Sequence, residues 1–153
     1  MTKESLRTLV LGSVVLLAQC WAPISAWANA KNACTNSTLH GSYAFTESGS
    51  IVGIGSVAVA GVFEADGNGN LTTNDTVSLS GEIIQESLNF TYQVNSDCTG
   101  SASSAPNQEP AHFNFVIINF GEEVTGIHTD PGTTLILKAK QQFGNKSNAP
   151  PED

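Results

Sequence analysis

The sequence predicts an all-β domain, an antiparallel up-and-down barrel of about eight strands with a sandwich as the second choice. Three observations carry that expectation. No helical periodicity of useful length survives past residue 30. In its place, runs of about five to ten residues rich in Val, Ile, Thr, Phe and Tyr alternate with Gly, Asn, Asp or Pro breaks. The run 88–95 alternates cleanly: Leu88, Phe90, Tyr92 and Val94 share one face, and Asn89, Thr91, Gln93 and Asn95 share the other. Period two of that quality is the pattern of a half-buried antiparallel strand.

The remaining strands are expected at 41–47, 56–65, 70–80, 81–85, 99–104, 112–120, 124–129 and 133–141. Two of these look covered on both sides. In 56–65, Val57, Val59 and Phe63 oppose Ala58, Ala60 and Val62, and 112–120 contains Val116-Ile117-Ile118. The breaks suit tight turns. Asp66-Gly67-Asn68-Gly69-Asn70 supplies residues that tolerate positive φ. In Asp130-Pro131-Gly132, proline presets φ and glycine takes the left-handed position. Residues 103–110 form a longer polar loop. The linkers are short and no long crossover is visible, which favours a meander closed into a barrel that has no free edges. An eight-stranded barrel either holds one small ligand or fills with side chains.

Ahead of these strands, Lys3 and Arg7 precede the apolar run 9–18, and A-x-A sites follow at Ala26-Trp27-Ala28 and Ala28-Asn29-Ala30. That order is the layout of a secretory signal peptide, and the run is far shorter than the roughly 20 residues of a membrane-crossing helix. The expected organisation is a signal peptide over 1–28, cleaved after Ala28 or secondarily after Ala30, a single β-barrel domain over 29–143 and a disordered tail over 144–153. The destination is secreted or periplasmic, with no membrane span. Removing residues 1–28 leaves four lysines and no arginine against thirteen acidic residues. Such a surface repels phosphate backbones and anionic lipid alike, so a nucleic-acid partner is not expected. The signal carries Cys20 away and leaves Cys34 and Cys98, which in an oxidising compartment are better paired in a disulfide than spent on metal or catalysis. The competing reading, a lipoprotein acylated at Cys20, is disfavoured by Gln19, since a small residue belongs before the cysteine.

Several phrases resemble, together, a family of uncharacterised exported bacterial proteins over residues 34–142. They are Gly41-Ser42-Tyr43-Ala44-Phe45, the stretch from Phe63 to Asn70, Tyr92-Gln93-Val94-Asn95-Ser96-Asp97-Cys98-Thr99-Gly100, and the ending from Phe113-Asn114-Phe115 through Asp130-Pro131-Gly132-Thr133. That family is similar in layout to allene oxide cyclase-like and lipocalin-like (calycin) barrels. The resemblance implies an eight-stranded barrel with an apolar interior and brings no catalytic residues with it. Where lipocalins proper open on Gly-x-Trp, this chain has Gly41-Ser42-Tyr43.

Tyr43, Phe45, Phe63, Phe90, Tyr92, Phe113 and Phe115, with Phe120, are the candidates to line an apolar ligand cavity, or equally to form the packed core a domain of this size requires. Loss of both tryptophans with the signal argues against a carbohydrate-stacking platform. The oxygens of Asp66, Asn68 and Asn70 alternate with glycines, but no bidentate glutamate follows, and a bulged hairpin turn explains them better than calcium does. His40, His112 and His128 show neither H-x-H nor H-E-x-x-H spacing, so no metal and no cofactor are expected. His112 would serve as a base only beside Glu47 or Glu64, and parity puts it opposite Phe113 and Phe115, on the solvated face. Glu64 ends an apolar strand near a barrel mouth, where a raised pKa would mark a functional carboxylate, yet emergence into water is the simpler reading. Gly-x-Ser-x-Gly is absent and Glu122-Glu123 reads as a solvated hairpin. The sequons at Asn36, Asn70, Asn74, Asn89 and Asn145 would matter only in a eukaryotic secretory pathway.

The function that fits is an exported barrel that binds a small apolar ligand. The alternatives are an isomerase or cyclase shaping an apolar substrate inside the barrel, and a filled barrel with a structural or protein-interaction role. Inward-pointing polar side chains separate a catalyst from a plain binder.

Overall fold

The computed structural model describes residues 33–143. The expected signal peptide and the tail over 144–153 lie outside the described residues. Nine strands follow in order: β1 (His40–Ile51), β2 (Gly55–Asp66), β3 (Asn70–Leu79), β4 (Glu82–Glu86), β5 (Asn89–Val94), β6 (Thr99–Ser104), β7 (His112–Ile118), β8 (Glu123–His128) and β9 (Thr133–Gln141). Short 3-10 turns occupy Asn36–Thr38 and Asn119–Gly121.

All neighbours are antiparallel, and β9 pairs back onto β1 to close the sheet. The closure is an eight-stranded barrel, as the alternation and short linkers predict, with β4 as an extra strand. The extra strand arises because β3 changes partner along its length. Its first residues, Asn70–Thr72, pair with β5, whereas Asp75–Leu79 pair with β4, which ends the sheet as an edge strand. The barrel is therefore closed low down and splayed between β3 and β5 higher up.

One end forms a floor. Leu39 and Tyr43 are the most deeply buried large side chains, and Tyr43 stacks on Phe63 with ring centroids 4.7 Å apart. The segment before β1 is tied beneath them. Asn36 Oδ1 accepts the Val94 N–H at 2.8 Å, and Tyr92 Oη donates to the Leu39 carbonyl at 2.7 Å. Tyr43 Oη donates to the Gly121 carbonyl. Gly121 has φ +101°, and a Cβ there would collide with the Thr38 carbonyl, so glycine lets this turn close over the barrel end. The Cys34–Cys98 disulfide forms as expected, with Cα atoms 5.0 Å apart and the two cysteines 64 positions apart in sequence. Constraining a loop of that length stabilises by about 4 kcal/mol in the chain-entropy account. At the same end, Asp66 Oδ1 accepts the N–H groups of Asn68 and Asn70 at 2.7 and 3.0 Å, the side-chain turn that the Asp-Gly-Asn-Gly-Asn run favours over calcium.

Two sequence expectations are corrected. Strands β2 and β7 are covered on one face only: Ala58 and Ala60 are exposed, as are Val116 and Ile118. A closed barrel has one interior, and alternate residues must face outward whatever their polarity. The seventh strand also stops at Ile118. Phe120 adopts φ +56° in the turn beyond it and is 84 % exposed, so it takes no part in the aromatic interior. No helix among the described residues is long and apolar enough to cross a membrane.

Candidate functional site

Above the floor the barrel does not fill. A cavity of about 220 Å³ lies inside its upper half. An engineered dry cavity of about 150 Å³ accepts benzene, so this space suits a guest of about ten non-hydrogen atoms. Its walls follow from strand parity. β1 turns Phe45, Glu47 and Ile51 inward, β2 turns Val57, Val59 and Phe63, and β3 turns Leu71, Thr73, Asp75, Val77 and Leu79. Across the barrel stand Phe90, Phe113, Phe115, His128, Leu135 and Leu137, with Leu88 and Pro110 toward the loops.

Of the seven aromatic candidates, Phe45, Phe63, Phe90, Phe113 and Phe115 line this cavity. Phe90 and Phe113 meet edge to face, 5.6 Å between centroids. Phe115 lies across Gly100, where a Cβ would collide with the ring, so the glycine makes room for it. Tyr43 and Tyr92 sit lower, in the floor, with their hydroxyls bonded to backbone carbonyls.

The apolar walls are interrupted by polar groups that sequence reasoning passed over. Glu47, which is 8 % exposed, continues the inward parity of Tyr43 and Phe45. Its Oε2 lies 3.1 Å from His128 Nε2. The His128 ring packs on Phe113 with centroids 3.9 Å apart. His128 Nδ1 is in turn 3.7 Å from Asp130 Oδ2, and Asp130 Oδ1 is 2.6 Å from His112 Nδ1. A chain of alternating carboxylates and imidazoles thus runs from the cavity wall to the surface. Burial alone would raise the Asp130 pKa. The hydrogen bonds from the His112 N–H and ring, with the charges of both histidines, instead hold it below the usual carboxylate range.

On the opposite wall, Asp75 points inward from β3, where Gly61 on β2 leaves it space: a Cβ at Gly61 would collide with the Asp75 side chain. Asp75 Oδ1 is buried and has no hydrogen-bond partner. Burial pushes its pKa up, partly offset by the Thr73 hydroxyl, and the charge of Glu47 adds to the rise. Glu86, directly across the β3–β4 ladder from Asp75, stands at the rim. Its pKa is also raised, by desolvation first and then by Asp75 and Glu47.

The histidine and glutamate singled out from sequence lie elsewhere. His112 is on the solvated face, as parity predicts, and binds Asp130 rather than Glu47 or Glu64; Glu64 is exposed on the outside of β2. The signal that would have found the inner-facing residues was the same parity, carried one alternation further from Phe45 to Glu47 and applied to Thr73-x-Asp75-x-Val77 and to Val124-x-Gly126-x-His128. Among the described residues, no set of three or more His, Cys, Asp or Glu side chains is arranged to hold a metal ion.

No protein-family model, no curated protein and no solved structure matches this chain.

Proposed function

We propose that this barrel binds a small apolar molecule in its upper cavity. The carrying observation is the contrast within one barrel: a buried floor whose tyrosine hydroxyls are hydrogen-bonded, beneath a space of about 220 Å³ lined by aromatic and aliphatic side chains. Well-packed interiors leave few voids larger than a water molecule, and a concave apolar space with a few convergent polar groups is the usual form of a ligand site. Expected export through a signal peptide, to a secreted or periplasmic location, suits such a carrier. Native mass spectrometry of protein purified from its own host tests the proposal. A retained small molecule, displaced by an added alkanol, supports it. Protein that carries nothing and takes up no alkanol or apolar dye contradicts it and leaves the filled-barrel role.

One observation favours the isomerase or cyclase reading as a second. Holding a substrate beside one acid–base group is sufficient for much isomerisation chemistry. His128 and Glu47 face the cavity as a hydrogen-bonded pair, and Asp130 and His112 lead from it to solvent. On this reading His128 exchanges a proton with the bound substrate. A turnover assay on any retained ligand, comparing the parent with His128→Gln, distinguishes the two. Binding without turnover in both proteins selects the plain binder.

A further inference from the structure

The cavity carries a charge imbalance that narrows the class of guest. Three carboxylates, Glu47, Asp75 and Glu86, line it, together with Glu109 near the rim. No lysine or arginine is among the lining residues, and Lys138 and Lys140 lie on the exposed face of β9. Of these cavity carboxylates His128 reaches only Glu47: among the described residues, no Lys, Arg or His nitrogen comes within 4.0 Å of the Asp75 or Glu86 carboxylates. Asp75 Oδ1 is the sharper observation. It is a buried oxygen, on a side chain aimed into the cavity, with no hydrogen-bond partner in place; the neighbouring Thr73 hydroxyl, which lowers the pKa of the carboxylate, does not meet hydrogen-bond geometry with this oxygen. Leaving such an acceptor unmade costs about 1–3 kcal/mol, more for a charged group. The residue is given its space by Gly61, so an unmade contact is built into the wall rather than crowded out of it.

We propose that the guest is an amphiphilic cation, a protonated amine on a small apolar body. The ammonium group sits between Asp75 and Glu86, and the apolar body lies against Phe45, Val59, Phe90 and Phe113. This deepens the ligand-binding reading and rests on it. An ammonium supplies both the missing donor for Asp75 Oδ1 and the missing positive charge for the pair. A charge–charge contact is worth several times more in such a partly desolvated site than in open water. An apolar carboxylate would add a further negative charge to an acidic wall, and a neutral alcohol would satisfy the hydrogen bond but not the charge.

Octylamine, octan-1-ol and octanoate share a chain of the right size and differ in the head group, and isothermal titration at neutral pH and physiological salt compares them on the whole protein. Octylammonium is expected to bind one site at least about tenfold more tightly than octanol, equivalent to about 1.4 kcal/mol. Octanoate is expected to bind most weakly. Asp75→Asn should remove most of the preference for the amine while leaving octanol affinity within about twofold, since the uncharged amide keeps shape and polarity. Glu86→Gln, at the exposed rim where folding is not at risk, should weaken the amine by a smaller factor. Octanol binding as tightly as octylammonium, or amine binding unchanged in both variants, overturns the cation assignment and leaves the ligand-binding proposal standing. Failure of all three probes to bind overturns both.

Discussion

The floor and the mouth of this barrel solve opposite problems with the same eight strands. At the floor each buried polar group is matched: the tyrosine hydroxyls reach backbone carbonyls, Asn36 caps the Val94 N–H, and a disulfide holds the entering segment. At the mouth, β3 leaves β5 for β4, the walls part, and an aspartate oxygen is left without a partner. The floor holds the cross-link and the satisfied hydrogen bonds, and the mouth holds the cavity and the unpartnered aspartate oxygen. Proteins commonly hold functional sites in the less stable part of a fold.

That division makes ordered predictions. The double replacement Cys34→Ser with Cys98→Ser should give the largest loss, about 4 kcal/mol in denaturant unfolding, because it frees a 64-residue loop at the floor. A loss under about 1 kcal/mol would show that the hydrogen bonds around Asn36 and Tyr92 suffice to hold the segment. Next, Ile117→Ala in the floor cluster should cost about 3 kcal/mol, whereas Leu79→Ala at the half-buried rim should cost about 1 kcal/mol or less. Equal losses would mean that the mouth is packed as tightly as the floor. Removing one oxygen sharpens the contrast further. Tyr43→Phe leaves the Gly121 carbonyl buried and unpaired and should cost about 1–3 kcal/mol.

The smallest effects separate the two ends by pH. Asp66, in the floor turn, is held at about 2 by the Asn70 side chain first, then by the backbone N–H groups of Asn70 and Asn68. A depressed carboxylate contributes stability above its unfolded pKa and loses it as pH falls through the folded one. Asp66→Asn should therefore remove part of the loss seen on acidification toward pH 2. Asp75 is shifted the other way, by burial and by Glu47. The folded state then binds the proton more tightly than the unfolded chain. Stability falls as pH rises from the ordinary carboxylate value through the raised one, and Asp75→Asn should reduce that fall, leaving the share that comes from the likewise raised Glu86. Melting temperatures of the two variants across the acid range check both signs. A shared direction would contradict the contrast between the ends.

Much of this was legible in the chain. The clean alternation of residues 88–95 fixed which side of β5 faces in, and the glycine- and proline-bearing turns placed the hairpins. Parity also put His112 outside, where it is. Two things were hidden. The exposure of Ala58, Ala60, Val116 and Ile118 was not readable, because an apolar outer face resembles a covered one until the sheet is seen to close. The gathering of the acidic cluster was hidden: parity turns Glu47, Asp75 and His128 inward one by one, but they are distant in sequence, and only the barrel register brings them with Glu86 to one cavity. The switch of β3 from β5 to β4, which opens the mouth, depends on pairings between strands and leaves no local signature.

If the barrel binds a guest in its upper half, that guest enters the cavity and leaves the floor cluster undisturbed. Methyl-resolved NMR during titration with octan-1-ol tests it directly, because leucines, isoleucines and valines mark both ends. Saturable shifts are expected for Val57, Val59, Leu79, Leu88 and Leu135, which line the cavity, with Ile117 in the floor cluster left in place. Shifts of equal size at Ile117, or no saturable shift at any cavity methyl, would contradict it.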